Sequence, residues 1–168
     1  HGWSKLFDVD ILDAEGPDLE LPIPNGKRIQ KNLVGKDIKN YDSMLVLSHF
    51  KGHPMGGFGG ALKQLSIGCA SSAGKANIHG AGKPEEMWTT EQNAFLESMA
   101  DAAESVVKLF DGKIVYINVM KNMSVDCDCC AVAEDPCMKD IGILASLDPI
   151  AIDQACLDLV YASDDPGR

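Results

Sequence analysis

"SMLVLSH", Ser43 to His49, is a short unbroken apolar run that follows neither helical nor alternating spacing. A run of that length suits a strand buried on both faces, as in a parallel sheet covered by helices. "KIVYINVM" (Lys113 to Met120) and "IGILAS" (Ile141 to Ser146) read the same way. Between the first two lies "TTEQNAFLESMADAAESVVKLFDG", where Phe95, Met99, Ala102, Val106 and Phe110 recur at helical spacing. Thr89 with Gln92 forms the pattern of a capping box, Lys108 falls in the last turn and Gly112 provides a stop. "DPIAIDQACLDLVYA" predicts a second helix, with Asp148 as N-cap and Pro149 at the first helical position. Asp153 would sit in its first turn, where a carboxylate suits the helix dipole.

Strand, helix-bearing connection, strand, loop, strand, helix is the order of an α/β fold. It predicts a layered sheet of mostly parallel strands with flanking helices and right-handed crossovers. Upstream, Asn25-Gly26 in "LELPIPNGKRIQKNLV" predicts a small β-hairpin with a type I′ turn. Pro22 and Pro24 confine its first arm to an edge. The 168 residues suffice for a single α/β domain, with 1–40 as a peripheral hairpin segment and 41–168 as the core. The chain opens on His1 with no initiator Met, and we expect a piece of a longer protein.

Composition narrows the function. A formal net charge of -10 opposes binding along a phosphate backbone, which argues against nucleic acid. Asp8, Asp10, Asp13, Glu15, Asp18 and Glu20 against Lys5 read as a solvated acidic surface. No stretch of eighteen apolar residues is available for a membrane helix. Of the six cysteines, Cys69 and Cys156 lie in apolar segments and read as small core residues. With no secretory leader and an ample core, the expected compartment is reducing, hence cytoplasmic.

In parallel sheets ligands collect beyond the carboxyl ends of the strands. "HFKGHPMGGFGG" (49–60) follows the first strand and "KNMSVDCDCC" (121–130) follows the second, so both would face one crevice. Cys127, Cys129, Cys130 and Cys137 stand as C-x-C-C-x₆-C. Four thiolates hold iron–sulfur clusters or structural zinc, although this spacing matches neither ferredoxins nor zinc fingers. Cys129 and Cys130, being adjacent, would point apart. Asp126 and Asp128 would raise the thiol pKa values unless a cation offsets them. A metal site, a redox thiol or disulfide pair, and cysteines without a role are the three readings of this loop. His49 and His53, with Lys51, could supply metal ligands, a general base or an anion clamp, or be hydrogen-bonded loop histidines. Gly57, Gly59 and Gly60 permit close backbone approach to a ligand. Lys75 and His79 could hold an anion there, or the stretch could be a flexible surface loop. A phosphate loop is excluded, because five residues separate Gly68 from Gly74 and Ala76 replaces the required Ser or Thr.

"LSHFKGHPMGGFGGALKQLSIGCASSAGK", together with "SVDCDCC" and "DIGILASLDPIAIDQACLDLV", resembles the signatures of the family known as domain of unknown function 362. Its members are often labelled uncharacterised Fe–S-centre proteins. The resemblance spans roughly Ser43 to Tyr161. It implies longer full-length members and an iron–sulfur centre, and it carries over to His49, Lys51, His53, Gly57 to Gly60, Lys75, Asp126, Cys127, Asp128 and Cys129. The "DCDC" portion is the firmer part, and a mixed Cys/His site using His49 or His53 is compatible with it. Some relatives hold a ferredoxin-like insert, which this chain lacks.

Three functions follow as expectations. One is a redox protein carrying an iron–sulfur cluster or a zinc or iron ion. Another is a metal-independent enzyme for a small anionic substrate, with a His base, Lys51 and Lys75 on the anion and a cysteine nucleophile. The third is a non-catalytic binding module. The partner would be a small anionic ligand or a redox partner.

Overall fold

The computed structural model describes residues 2–12 and 18–167. Asp13 and Glu15 of the acidic opening lie outside them. The chain forms a mixed α/β fold. Strands β3 (Met44–His49), β6 (Ile114–Met120) and β7 (Gly142–Ser146) make the main sheet, in the order β3-β6-β7. β3 and β6 are parallel, with Met44 opposite Ile114 and His49 opposite Val119. β7 is antiparallel to β6, from Tyr116 opposite Ser146 to Met120 opposite Gly142. The mostly parallel sheet expected from the sequence is thus replaced by a mixed one. The cause is the connection. A parallel return needs a long crossover, usually helical, whereas residues 121–141 carry no helix and simply reverse the chain.

The expected burial on both faces also fails. Val46, Ser48, Tyr116, Asn118 and Met120 point inward and are buried. Leu45, Leu47 and Val115 alternate with them and are 60%, 62% and 43% exposed; Ile143 is 69% exposed. Among the described residues, the helices cover one face only.

β1 (Leu19–Pro22) and β2 (Lys31–Val34) form the predicted antiparallel pair. Asn25-Gly26 does not make a type I′ turn, because neither residue has positive φ. A buried carboxylate organises the connection instead. Asp101 accepts from the backbone N–H groups of Lys27 (3.0 Å), Arg28 (2.7 Å) and Ile29 (3.1 Å).

Asp101 belongs to α3 (Gln92–Phe110), the long helix whose Phe95, Met99, Ala102, Val106 and Phe110 are all buried as the periodicity predicts. Its N-cap is Glu91 rather than Thr89. The Glu91 carboxylate accepts from Asn93 N and Ala94 N, while the Thr89 and Thr90 hydroxyls donate to Glu86 O. Asp111 and Gly112, with φ of 48° and 76°, end the helix. α4 (Pro149–Ala162) starts as predicted, with Asp148 accepting from Ile150 N and Ala151 N.

The glycine-rich stretch is ordered structure rather than a flexible loop. It forms the hairpin β4 (Lys51–His53) and β5 (Gly57–Gly59), then one α-helical turn α1 (Ala61–Lys63). A π-helical turn, Gln64–Gly68, and helix α2 (Ser72–His79) follow. Asp153 of α4 reaches across to this segment instead of serving its own first turn. Its buried carboxylate accepts from Ala61 N (2.8 Å), Leu62 N (2.9 Å) and Asn118 Nδ2 (2.7 Å). Gly60 is required there, since a Cβ would stand 2.4 Å from Asp153 Oδ1. No helix among the described residues is long and apolar enough to cross a membrane.

Candidate functional site

Because β3 and β6 run in parallel and end in register, the segments that follow them leave at the same end of the sheet. Backbone hydrogen bonds then zip the two together. Phe50 N donates to Val119 O (3.0 Å) and Gly52 N to Ser124 O (2.8 Å). Gly52 permits this approach, as a Cβ would lie 2.5 Å from Val125 O. The histidine-bearing and cysteine-bearing segments expected to share a crevice are therefore neighbours.

Asp128 ties them by side chains. Its carboxylate accepts from Lys51 Nζ at 2.6 Å and meets His49 Nδ1 at 2.9 Å. The other ring nitrogen of His49 faces Lys121 O at 2.8 Å. Each nitrogen thus faces an oxygen atom. Lys51 Nζ also donates to His49 O at 3.0 Å. Burial works to raise the Asp128 pKa, but the hydrogen bonds and charges of Lys51 and His49 outweigh it and hold the carboxyl below its ordinary value.

The thiols flanking Asp128 face each other. Cys130 N donates to Cys127 O at 3.0 Å, closing a turn. Within it the Cys129 thiol donates to Cys127 Sγ at 2.9 Å. Lys63 Nζ, from α1, donates to the same Cys127 sulfur at 3.5 Å. Cys127 is buried and Cys129 is exposed. Burial pushes the Cys127 thiol up, yet hydrogen bonds from the Cys129 side chain and backbone and the Lys63 ammonium bring the net shift below the ordinary value. Cys129 moves the opposite way, raised first by its bond to Cys127 and then by burial. The hydrogen bond between the two sulfurs thus favours the charged form at Cys127 and the neutral form at Cys129. The acid-driven rise expected for both sulfurs does not govern Cys127, because Lys51 engages Asp128 and Lys63 stands at the sulfur.

His53 is buried, and its Nδ1 accepts from Met55 N (3.2 Å) and Gly56 N (2.8 Å), shaping the β4–β5 turn. Burial, then the charges of Lys63, His79 and Lys51, lower its pKa to about 4. The ring is neutral at pH 7, with its proton on Nε2, so it offers a donor rather than a base. Gly57 (φ 76°) closes the same turn. Gly59 lies under the two lysines, as its Cβ would be 3.3 Å from the Lys63 stem and 3.6 Å from that of Lys51. Lys75 lies on α2, and its carbonyl accepts from His79 Nδ1 at 2.7 Å.

The four clustered cysteines do not converge. Cys130 is exposed, and the Cys137 sulfur faces Gly167 O at 3.4 Å. Among the described residues no group of three or more His, Cys, Asp or Glu could hold a metal ion, so a four-thiolate cage does not fit the loop as folded. Lys63, which contacts the Cys127 sulfur, and Asp153, which seats α1, carry no local sequence signal. Each acts across more than sixty residues of chain.

A family model described as "Domain of unknown function (DUF362)" matches residues 2–158. No curated protein and no solved structure matches the chain.

Proposed function

The chain belongs to the DUF362 family, and we propose that it works as a thiol–disulfide redox protein through Cys127 and Cys129. The observation that carries this reading is the 2.9 Å approach of the two sulfurs, with the Lys63 ammonium 3.5 Å from Cys127. Exposed Cys129 attacks one sulfur of a substrate disulfide, its thiol proton passing to the half that is expelled. The Cys127 thiolate then attacks Cys129 Sγ, closes the Cys127–Cys129 bond and releases the second half. Two electrons pass to the substrate, and the two protons lost by the cysteines end on its two thiols. In the reverse direction Cys127 is the leaving group, and Lys63 stabilises the charge it takes up.

The test is equilibration in graded thiol–disulfide buffers, followed by alkylation and mass spectrometry. A two-electron couple should join Cys127 to Cys129, and Cys127→Ser should instead accumulate a mixed disulfide on Cys129. Both thiols staying alkylatable in the most oxidising buffer would overturn the reading.

A second reading, favoured by the same adjacent sulfurs, gives Cys127 and Cys129 as two ligands of an iron–sulfur cluster or a zinc or iron ion. Metal analysis of protein prepared without oxygen decides it. Stoichiometric iron or zinc that disappears in the Cys127→Ser, Cys129→Ser variant would establish a metal site.

A further inference from the structure

Lys63 links the thiol pair to an apolar cavity of about 210 Å³, walled by Phe58, Leu62, Lys63 itself, Leu96, Met99 and Ala100. We propose that this cavity receives a single apolar ring, which makes the substrate a small aryl thiol or disulfide; this rests on the dithiol reading above.

Size sets the first limit. Pockets for drug-sized ligands run from about 300 to 1,000 Å³, and a dry apolar cavity of about 150 Å³ takes benzene. The observed volume suits one ring with a short arm and is too small for a nucleotide. Chemistry sets the second. α3 supplies Leu96, Met99 and Ala100, β5 supplies Phe58 and α1 supplies Leu62. Lys63 is the only charged residue among them, and it serves two places at once: it lines the cavity while its ammonium reaches the Cys127 sulfur. A ring seated among the apolar walls therefore has its polar end within one lysine side chain of the reacting thiols. Gly56 completes the wall and is pinned from behind, where its N–H donates to His53 Nδ1 at 2.8 Å. The buried neutral histidine thus shapes the cavity without placing a charge in it.

Ala100 is exposed at the rim, so Ala100→Trp can block the cavity without disturbing the core, and Leu96→Ala can enlarge it. The first experiment is saturation-transfer NMR with toluene on the wild-type protein, the two variants and the Cys127→Ser, Cys129→Ser protein. Toluene should bind the wild type and the cysteine-free protein and be lost from Ala100→Trp. The second is the rate of exchange with a benzyl disulfide relative to hydroxyethyl disulfide. Ala100→Trp should reduce the benzyl preference by about tenfold, and Leu96→Ala should move it toward a two-ring compound. Absence of toluene binding, or a preference untouched by both variants, overturns the cavity assignment while leaving the dithiol intact. If toluene binds and Ala100→Trp blocks it, yet no disulfide exchanges, the cavity stands as an apolar-ring site and the dithiol reading falls.

Discussion

Replacing Lys63 with methionine keeps an unbranched stem in the cavity wall and removes the ammonium 3.5 Å from the Cys127 sulfur. The Cys127 sulfur then loses a cationic contact, and its titration should move to higher pH. Thiolate absorbance at 240 nm against pH reads this directly, and an unmoved midpoint would show that Cys129 alone sets the charge. His53 makes a prediction of the opposite kind. Its pKa of about 4 in the folded protein lies below the ordinary 6.5. Between those values the unfolded chain binds a proton that the native ring refuses, so stability falls as pH drops from 6.5 to 4. At about 1.4 kcal/mol per pKa unit the loss is at most about 3.5 kcal/mol, and smaller to the extent that solvent screens the ring. Burial lowers the His79 pKa too, which adds to the same trend. His53→Asn keeps an acceptor for the turn and removes the titration. Urea melts at several pH values should show a flatter acid limb, and an unchanged limb would assign the effect elsewhere.

Individual elements were legible where their determinants are local. The three apolar runs were recognisable as strands, and α4 was placed by Asp148 and Pro149, because caps and short strands are written in neighbouring residues. The hairpin turn was not. Asn25-Gly26 has the local chemistry of a tight turn, yet a carboxylate more than seventy residues away holds the following N–H groups in another shape. The site divides in the same way. A parallel β3–β6 pair was enough to bring His49, Lys51 and the cysteines to one end, but Lys63 and the splitting of the two thiol pKa values depend on how α1 packs. Asp101→Ala should therefore cost about 2–4 kcal/mol in chemical denaturation, since it leaves three backbone donors without their acceptor. Glu91→Ala, which removes only a helix cap, should cost about 1 kcal/mol. Thr89→Ala should leave stability close to unchanged, and a loss as large as that at Glu91 would restore the capping box read from the sequence.

At the scale of the molecule, the described residues cover one side of the main sheet and leave the other bare. The contrast can be measured between neighbours in β3. Leu47 is 62% exposed and Val46 is 3% exposed. Leu47→Lys should alter stability by no more than about 0.5 kcal/mol, whereas Val46→Lys buries an unpaired ammonium and should abolish folding. Equal damage from both would mean that the outer side is packed in solution. The reversal between β6 and β7 has a different consequence. Ile141 N donates to Met120 O at 2.9 Å, so the excursion carrying the cysteines closes on itself at its neck. Its far end is open to solvent, with Val132 91% exposed. Doubling the length of such a loop costs about 0.6 kcal/mol of chain entropy. A whole guest domain spliced in at Val132 should accordingly be carried as tethered cargo, with the host melting within a few degrees of its original temperature.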